Sequence, residues 1–490
     1  MLGYATALLL LFGGVSARSR TMSVMPVAVE TRPIERSTRV RRQALLGPGW
    51  PLSVIFLGFP LWWVLGLSVF IFPVMAVPML WHLVHRPTVH VPKGFGLWLL
   101  FLVWMFASSM VLQADAPGAI PGGSLSRYAT FAYRAMWYLT VTIALLYAGN
   151  LSERELPRRR VARLLAFMFM VTLVGGMLGV LLPHVEFKSL LEIALPGSIA
   201  HNPYVNSLIH PSFAQIQQVL GYESPRPSAP FTYTNTWGAN LIYYLPFFLL
   251  AWGGREAGWR RPLAPVVLAI ALIPVVVSLN RGLWIGLGVA VIYGTIRLAM
   301  VGRTAAVGLL VGGIVAAVVL ILVSPLGEII SLRLQHPNSN QGRENLSGLT
   351  VSSAYQGSPI IGFGSTRNVQ GNFNSIAGGT GTGCNNCSPP AMGTQGDLWR
   401  LTFSYGFIGA GLYLLFFFRQ LFRYLPSRSP YVSAGCCTFL TSFVIMFVYD
   451  NLGAQLFTIM LALALMWRED LEGPEPSPGL APRLEEGAPA

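Results

Sequence analysis

Long apolar runs alternate along the chain with short polar connections. The first, from Pro51 to His85, is long enough for two helices and carries Pro73 and Pro78 as break points. Further runs follow at 95–113, 129–149, 164–183, 236–253, 263–279, 283–298, 304–324, 400–418, 431–448 and 453–467. A helix crossing a bilayer needs roughly 20 predominantly apolar residues, so the pattern predicts an all-α integral membrane protein with about twelve transmembrane helices. Two polar segments are too long to be simple connections, 184–235 and 325–397, and the second separates the ninth predicted span from the tenth. Long loops inside compact proteins are usually functional or disordered, which makes Pro325 to Asp397, rich in Gly and Asn, the first candidate site.

Three regions follow: a basic N-terminal segment over 1–50, a polytopic membrane domain over 51–467, and a Pro-, Gly- and Glu-rich tail over 468–490 expected to be disordered. Residues 2–15 are apolar but short of a span, so they fit either a signal-like segment or residues ahead of the true start.

Composition agrees with the pattern. Of 490 residues 53% are hydrophobic and 11% charged, against about 25% charged in soluble proteins. The net charge of +14 comes almost wholly from arginine, since Lys93 and Lys188 are the only lysines. Nucleic acid is not needed to explain it. The arginines cluster in short connections, at 154–163, 255–261, 297–303 and 419–428, which an alternating path places on one side. The positive-inside tendency makes that side cytoplasmic, together with both termini. Both long polar segments then face outward, with Arg281, which has no room for a loop around it.

An arginine suits a phosphate because its guanidinium is a planar fork of donors that stays charged. Arg281 in Ser278-Leu279-Asn280-Arg281-Gly282 and Arg343 in Gln341-Gly342-Arg343-Glu344-Asn345 are the leading candidates, each weighed against a snorkelling or solvated residue. Arg333, Arg367 and Arg400 read as surface or anchoring residues. Glu186, Glu192, Glu223, Glu328, Glu344 and Asp397 are the outer carboxylates, and Asp397 or Glu344 is the candidate base. His184, His201 and His210 lack the spacing of a metal site. Cys384 and Cys387 flank a two-residue turn and read as a local disulfide, whereas Cys436 and Cys437 sit in an apolar run as core residues. No phosphate-loop glycine motif is present.

These elements, in this order, resemble the O-antigen ligase and O-antigen polymerase superfamily of membrane glycosyltransferases. Ser278 to Trp284 is similar to the family's Ser-Arg-Gly element. Arg343, with the trailing Pro359-Ile360-Ile361-Gly362-Phe363-Gly364, is similar to its loop arginine and glycine motif. Arg226, Phe231 and Asn235 resemble its Arg…Phe…Asn entry to a span, with Ala229-Pro230 in place of Gly-Thr. Where the ligases carry His-Asn ahead of Gly-Leu-Ile-Gly, this chain has Gln395-Gly396 ahead of Gly406-Phe407-Ile408-Gly409. Glutamine cannot take up a proton at neutral pH, so Gln395 is expected to orient an acceptor.

The resemblance implies transfer of a glycan from a polyprenyl-diphosphate carrier to a hydroxyl of a glycan or lipid acceptor, at the outer face of a bacterial inner membrane and without a cofactor. In that role Arg281 and Arg343 hold the diphosphate, Arg226, Asn235 and Glu344 support substrate binding, and Asp397 and Gln395 act at the acceptor. A flippase of lipid-linked sugars is the competing class, for which internal repeats between the halves would speak; none is evident. A non-catalytic assembly subunit is the third.

Overall fold

The structure is a computed structural model, and it describes residues 47–123, 125–217, 222–302, 304–324, 327–328, 330–332, 338–370 and 391–472. The basic N-terminal segment, the C-terminal tail beyond Glu472, Arg333 and the Cys384–Cys387 pair lie outside the described residues.

The fold is mostly helical. In chain order the helices are α1 (Trp50–Leu57), α2 (Phe59–Val64), α3 (Ile71–Val84), α4 (Phe95–Ala107), α5 (Leu125–Asn150), α6 (Arg158–Leu181), α7 (Leu190–Ala194), α8 (Gly197–Ala200), α9 (Pro203–Ile209), α10 (Thr234–Gly253), α11 (Ala264–Val277), α12 (Arg281–Met300), α13 (Thr304–Val323), α14 (Asn338–Gly357), α15 (Asp397–Tyr424), α16 (Pro430–Ile445) and α17 (Ala454–Glu472). Among the described residues five helices are long and apolar enough to cross a membrane: α5, α6, α12, α15 and the segment Glu256–Val277 that contains α11. Large apolar side chains stay exposed on α12 and α13, among them Ile285, Ile292 and Leu309. Such surface is unfavourable in water and suited to lipid.

Local chemistry sets the helix ends. Asn202 accepts from the Tyr204 and Val205 backbone N–H groups at the start of α9, Ser189 from Glu192 at the start of α7, and Asn280 from Leu283 at the start of α12. Pro51, Pro203 and Pro430 occupy first turns, where a missing N–H costs nothing. The core is built where α6 packs on α10, α5 on α3 and α17, α4 on α15, and α16 on α10, α12 and α17.

Two expectations change. The chain is not purely helical, because β1 (Ala214–Gln217) pairs antiparallel with β2 (Ser224–Pro227), with Gln215 opposite Arg226, and β3 (Arg367–Asn368) pairs with β4 (Ala391–Met392). The polar segment 325–397 is also no plain loop. Its centre is α14, which packs on α15 and β4. Leu346, Thr350 and Ala354 are buried on it at spacings of four residues, which puts them on one face, while Glu344 and Asn345 are exposed. The overall polarity of the segment masked this narrow stripe.

The Pro359 to Gly364 motif docks that segment onto α15. Phe363 and Gly364 donate backbone N–H bonds to the Phe403 and Ser404 carbonyls at 2.9 and 2.8 Å, and Phe407 returns one to Pro359 at 2.8 Å. Helix α15 is kinked at Gly406, directly under the motif. Gly362 has φ +72, and a Cβ there would run into the Ser404 to Gly406 backbone. We predict that Gly362→Ala lowers stability by about 1–3 kcal/mol, whereas Gly312→Ala, in open space on α13, is neutral or mildly stabilising. Thermal unfolding in detergent separates them, and equal effects would remove the docking role.

Candidate functional site

A cavity of about 1010 Å³ opens between these elements. Four arginines line it, Arg134, Arg226, Arg281 and Arg343, and Asp450 is the one carboxylate among its described lining residues. Aromatic side chains, including Tyr133, Tyr204, Phe231, Tyr233 and Tyr449, supply much of the remaining wall.

The arginines form two groups. In the first, Arg226 projects from β2 and donates through Nε to the Ser278 carbonyl at 2.6 Å, through one terminal nitrogen to Gln217 Oε1, and through the other to Asn235 Oδ1 at 3.4 Å. Burial pushes the Arg226 guanidinium down to about 10, with Tyr449 opposing the shift and Arg343 adding to it, so Arg226 remains charged at neutral pH. Arg281 follows Leu279, held at φ +53, and the Asn280 cap; this tight reversal brings the first residue of α12 to the cavity. Arg343 lies over the Tyr449 ring, 5.3 Å from its centroid, and its charge acts on both Arg226 and Arg281.

Tyr449 also reaches Gly282, whose backbone N–H donates to the Tyr449 hydroxyl at 3.4 Å. A Cβ on Gly282 would collide with the Tyr449 ring, so the glycine after Arg281 is there for close approach. Sequence elements far apart in the chain, around Arg226, Arg281 and Arg343, therefore meet around one tyrosine.

The second group centres on Arg400, which is 2% exposed and corrects its reading as a surface residue. It is ion-paired with Asp397, reaches Asp450 Oδ1 from Nε at 3.2 Å, and donates to the Tyr138 hydroxyl at 3.1 Å. Asp397 is itself buried, receives the Tyr413 hydroxyl at 3.4 Å and does not line the cavity. Its carboxylate is engaged inside the bundle. Glu344 is exposed on α14 and likewise absent from the lining, because the packed face of α14 is the one that carries Leu346 and Thr350. Arg367 is also buried, bound to the Leu112 and Phe363 carbonyls at 2.7 and 3.0 Å, so it too is no surface residue.

Asp450 is the carboxylate that the described cavity lining holds. It stands in the link between α16 and α17, half-exposed to the cavity. Helix ends fix that link. The first N–H groups of α15, which have no partner within their own helix, donate to carbonyls of the link just past α16: Asp397 to Tyr449 at 3.0 Å and Leu398 to Met446 at 3.1 Å. Trp399 Nε1 adds a bond to Phe447 at 2.8 Å.

Gln395, just ahead of α15, is 3% exposed and lines the cavity; its Nε2 donates to Thr350 Oγ1 at 3.0 Å. Arg134, on α5, donates to the Ser404 and Thr366 hydroxyls at 3.2 and 3.1 Å. Sequence reading passed over Arg134 and Asp450. The available signal was a charge inside an apolar run for Arg134, and a charge in a link of a few residues for Asp450.

His210 bonds Glu192 at 2.8 Å, and no group of three or more metal-ligating side chains occurs among the described residues. Cys436 and Cys437 are buried and unbonded to each other, as the core reading expects. No family model, curated protein or solved structure matches the chain.

Removing one member of a buried ion pair leaves its partner charged and unpaired, which costs about 3–5 kcal/mol. We predict a loss of that size for Arg400→Met, recovered in large part by the double change Asp397→Leu with Arg400→Met. Thermal unfolding of the two variants beside Arg419→Met, at an exposed site, checks this; a single variant no worse than Arg419→Met would refute the burial argument.

Proposed function

We propose that the protein is a polytopic membrane glycosyltransferase that moves a glycan from a polyprenyl-diphosphate carrier to a hydroxyl acceptor, like the O-antigen ligases and polymerases its motifs resemble. The observation that carries this reading is the convergence of Arg226, Arg281 and Arg343 on one cavity wall around Tyr449, with Asp450 beside it. In this reading about twelve spans place both termini in the cytoplasm and the cavity at the outer face of a bacterial inner membrane.

The chemistry fits these residues. The acceptor oxygen attacks the anomeric carbon, forming the new glycosidic bond. The bond from that carbon to the diphosphate oxygen breaks, and the diphosphate departs with the electron pair. Preorganised cations near the departing oxygen stabilise the charge that develops there, and three guanidinium groups fill that role. The acceptor's proton goes to Asp450, the carboxylate that faces the cavity. Tyr204 is held well above the ordinary phenol range by burial, so it stays a neutral hydroxyl and offers no competing base.

The class is tested by where the carrier-linked glycan accumulates when the gene is deleted: outside for a transferase, inside for a flippase. With purified protein and a lipid-linked donor, Arg281→Lys and Arg343→Lys should each lose on the order of 10²-fold in transfer rate, because an ammonium cannot reproduce the guanidinium fork. Asp450→Asn should fall as far, and Glu344→Gln should stay near normal. Near-normal rates for both lysine variants would leave the resemblance without its chemistry.

A further inference from the structure

Gln395 is held on one side only. The Thr350 hydroxyl has a single hydrogen, donated to the Leu346 carbonyl at 2.6 Å. Its oxygen can therefore only accept, and it does so from the Gly393 backbone N–H at 3.2 Å and from Gln395 Nε2 at 3.0 Å. Turning the amide over would set two acceptors against each other. The Gln395 Oε1 is thus fixed on the opposite side, buried and without a partner among the described residues, in a side chain that lines the cavity. A buried acceptor left unpaired is unfavourable, and a ligand that donates to it removes that deficit.

The charges near this end are in balance. Arg134 and Arg400 are two cations, Asp397 and Asp450 two anions, and Arg134 feels both Arg400 and Asp450. Arg134 itself bonds neutral hydroxyls. At the other end three arginines, Arg226, Arg281 and Arg343, line the wall, and Arg343 acts on the other two.

We propose that the Gln395 end of the cavity is the acceptor subsite and that it takes a neutral sugar, read through its hydroxyls. This rests on the glycosyl-transfer reading above and deepens it. One sugar hydroxyl donates to Gln395 Oε1 and a second, the attacking one, to Asp450. An acidic sugar gains nothing here: the two arginines are already matched by two carboxylates, and Asp450 would repel a third.

The test uses the full chain in lipid nanodiscs with two kinds of probe. Farnesyl diphosphate reports on the arginine end, and methyl glucoside and methyl glucuronide, followed by saturation-transfer NMR, report on the Gln395 end. Methyl glucoside should bind more tightly than the glucuronide. Gln395→Leu should weaken glucoside binding about tenfold, the size of one lost hydrogen bond, and leave farnesyl diphosphate within about twofold. Thr350→Val, which frees the amide without touching the cavity, should act in the same direction, and Thr350→Ser, which keeps the hydroxyl, should restore binding. Tighter glucuronide binding, no sugar binding at all, unchanged glucoside binding in Gln395→Leu, or equal weakening of both probes would each overturn the subsite. Failure of the wild type to bind farnesyl diphosphate, with the glucoside pattern intact, would instead sink the diphosphate reading alone.

Discussion

A guanidinium shut inside a helix bundle is the constraint on which this site depends. Taking Arg400 out of water is unfavourable unless its charge is met, and Asp397 and Asp450 meet it while a terminal nitrogen donates to the Tyr138 hydroxyl. Together they join three parts of the chain: α5, the start of α15 and the link between α16 and α17. That link carries Tyr449 and Asp450 side by side. Tyr449 then collects Gly282 and Arg343, while Asp450 is presented to the cavity. The arginine that touches no cavity thereby sets the geometry of the residues that do.

The same logic accounts for the backbone around it. Helix termini inside a low-dielectric environment must find partners for their unpaired groups, and α15 finds them by donating to carbonyls of the link that follows α16. The Pro359 to Gly364 motif does the equivalent on the other side of α15, bonding to carbonyls exposed where the helix kinks at Gly406. The motif's role in the fold is therefore attachment: it ties the segment that carries Arg343 to the helix that carries Arg400. A rigid attachment is what a charge-stabilising wall requires, because donors that must reorganise during the reaction lose much of their effect.

Much of the helical framework was legible from hydropathy, since apolar runs of helical length have few other uses. Arg226, Arg281 and Arg343 were legible as well, each by its place in a short motif: Arg226 with Phe231 and Asn235, Arg281 within Ser278 to Trp284, and Arg343 ahead of Pro359 to Gly364. The carboxylates were not. Asp397 and Glu344 stood next to the right motifs, but adjacency in sequence does not say which face of a helix a residue occupies, and neither lines the cavity. Asp450 and Arg134 had no motif to mark them; the periodicity that finds a span ignores the one charge within it. Arg400 looked ordinary for the same reason. Its partner Asp450 is 50 residues away, so the pairing exists only once α16 has folded back on α15.

Departure of a diphosphate and activation of a hydroxyl make opposite demands on their surroundings. The first needs excess positive charge, which would hold any nearby proton acceptor less basic; the second needs an anion able to take a proton. A single cavity serves both only if the two fields are kept apart. Here Arg226, Arg281 and Arg343 gather at Tyr449, while Arg400, neutralised on its far side by Asp397, is the cation in direct contact with Asp450. One peptide bond separates the two regimes. Asp397, buried behind Arg400, balances that guanidinium from inside the bundle, so the charge that meets Asp450 there is already paired.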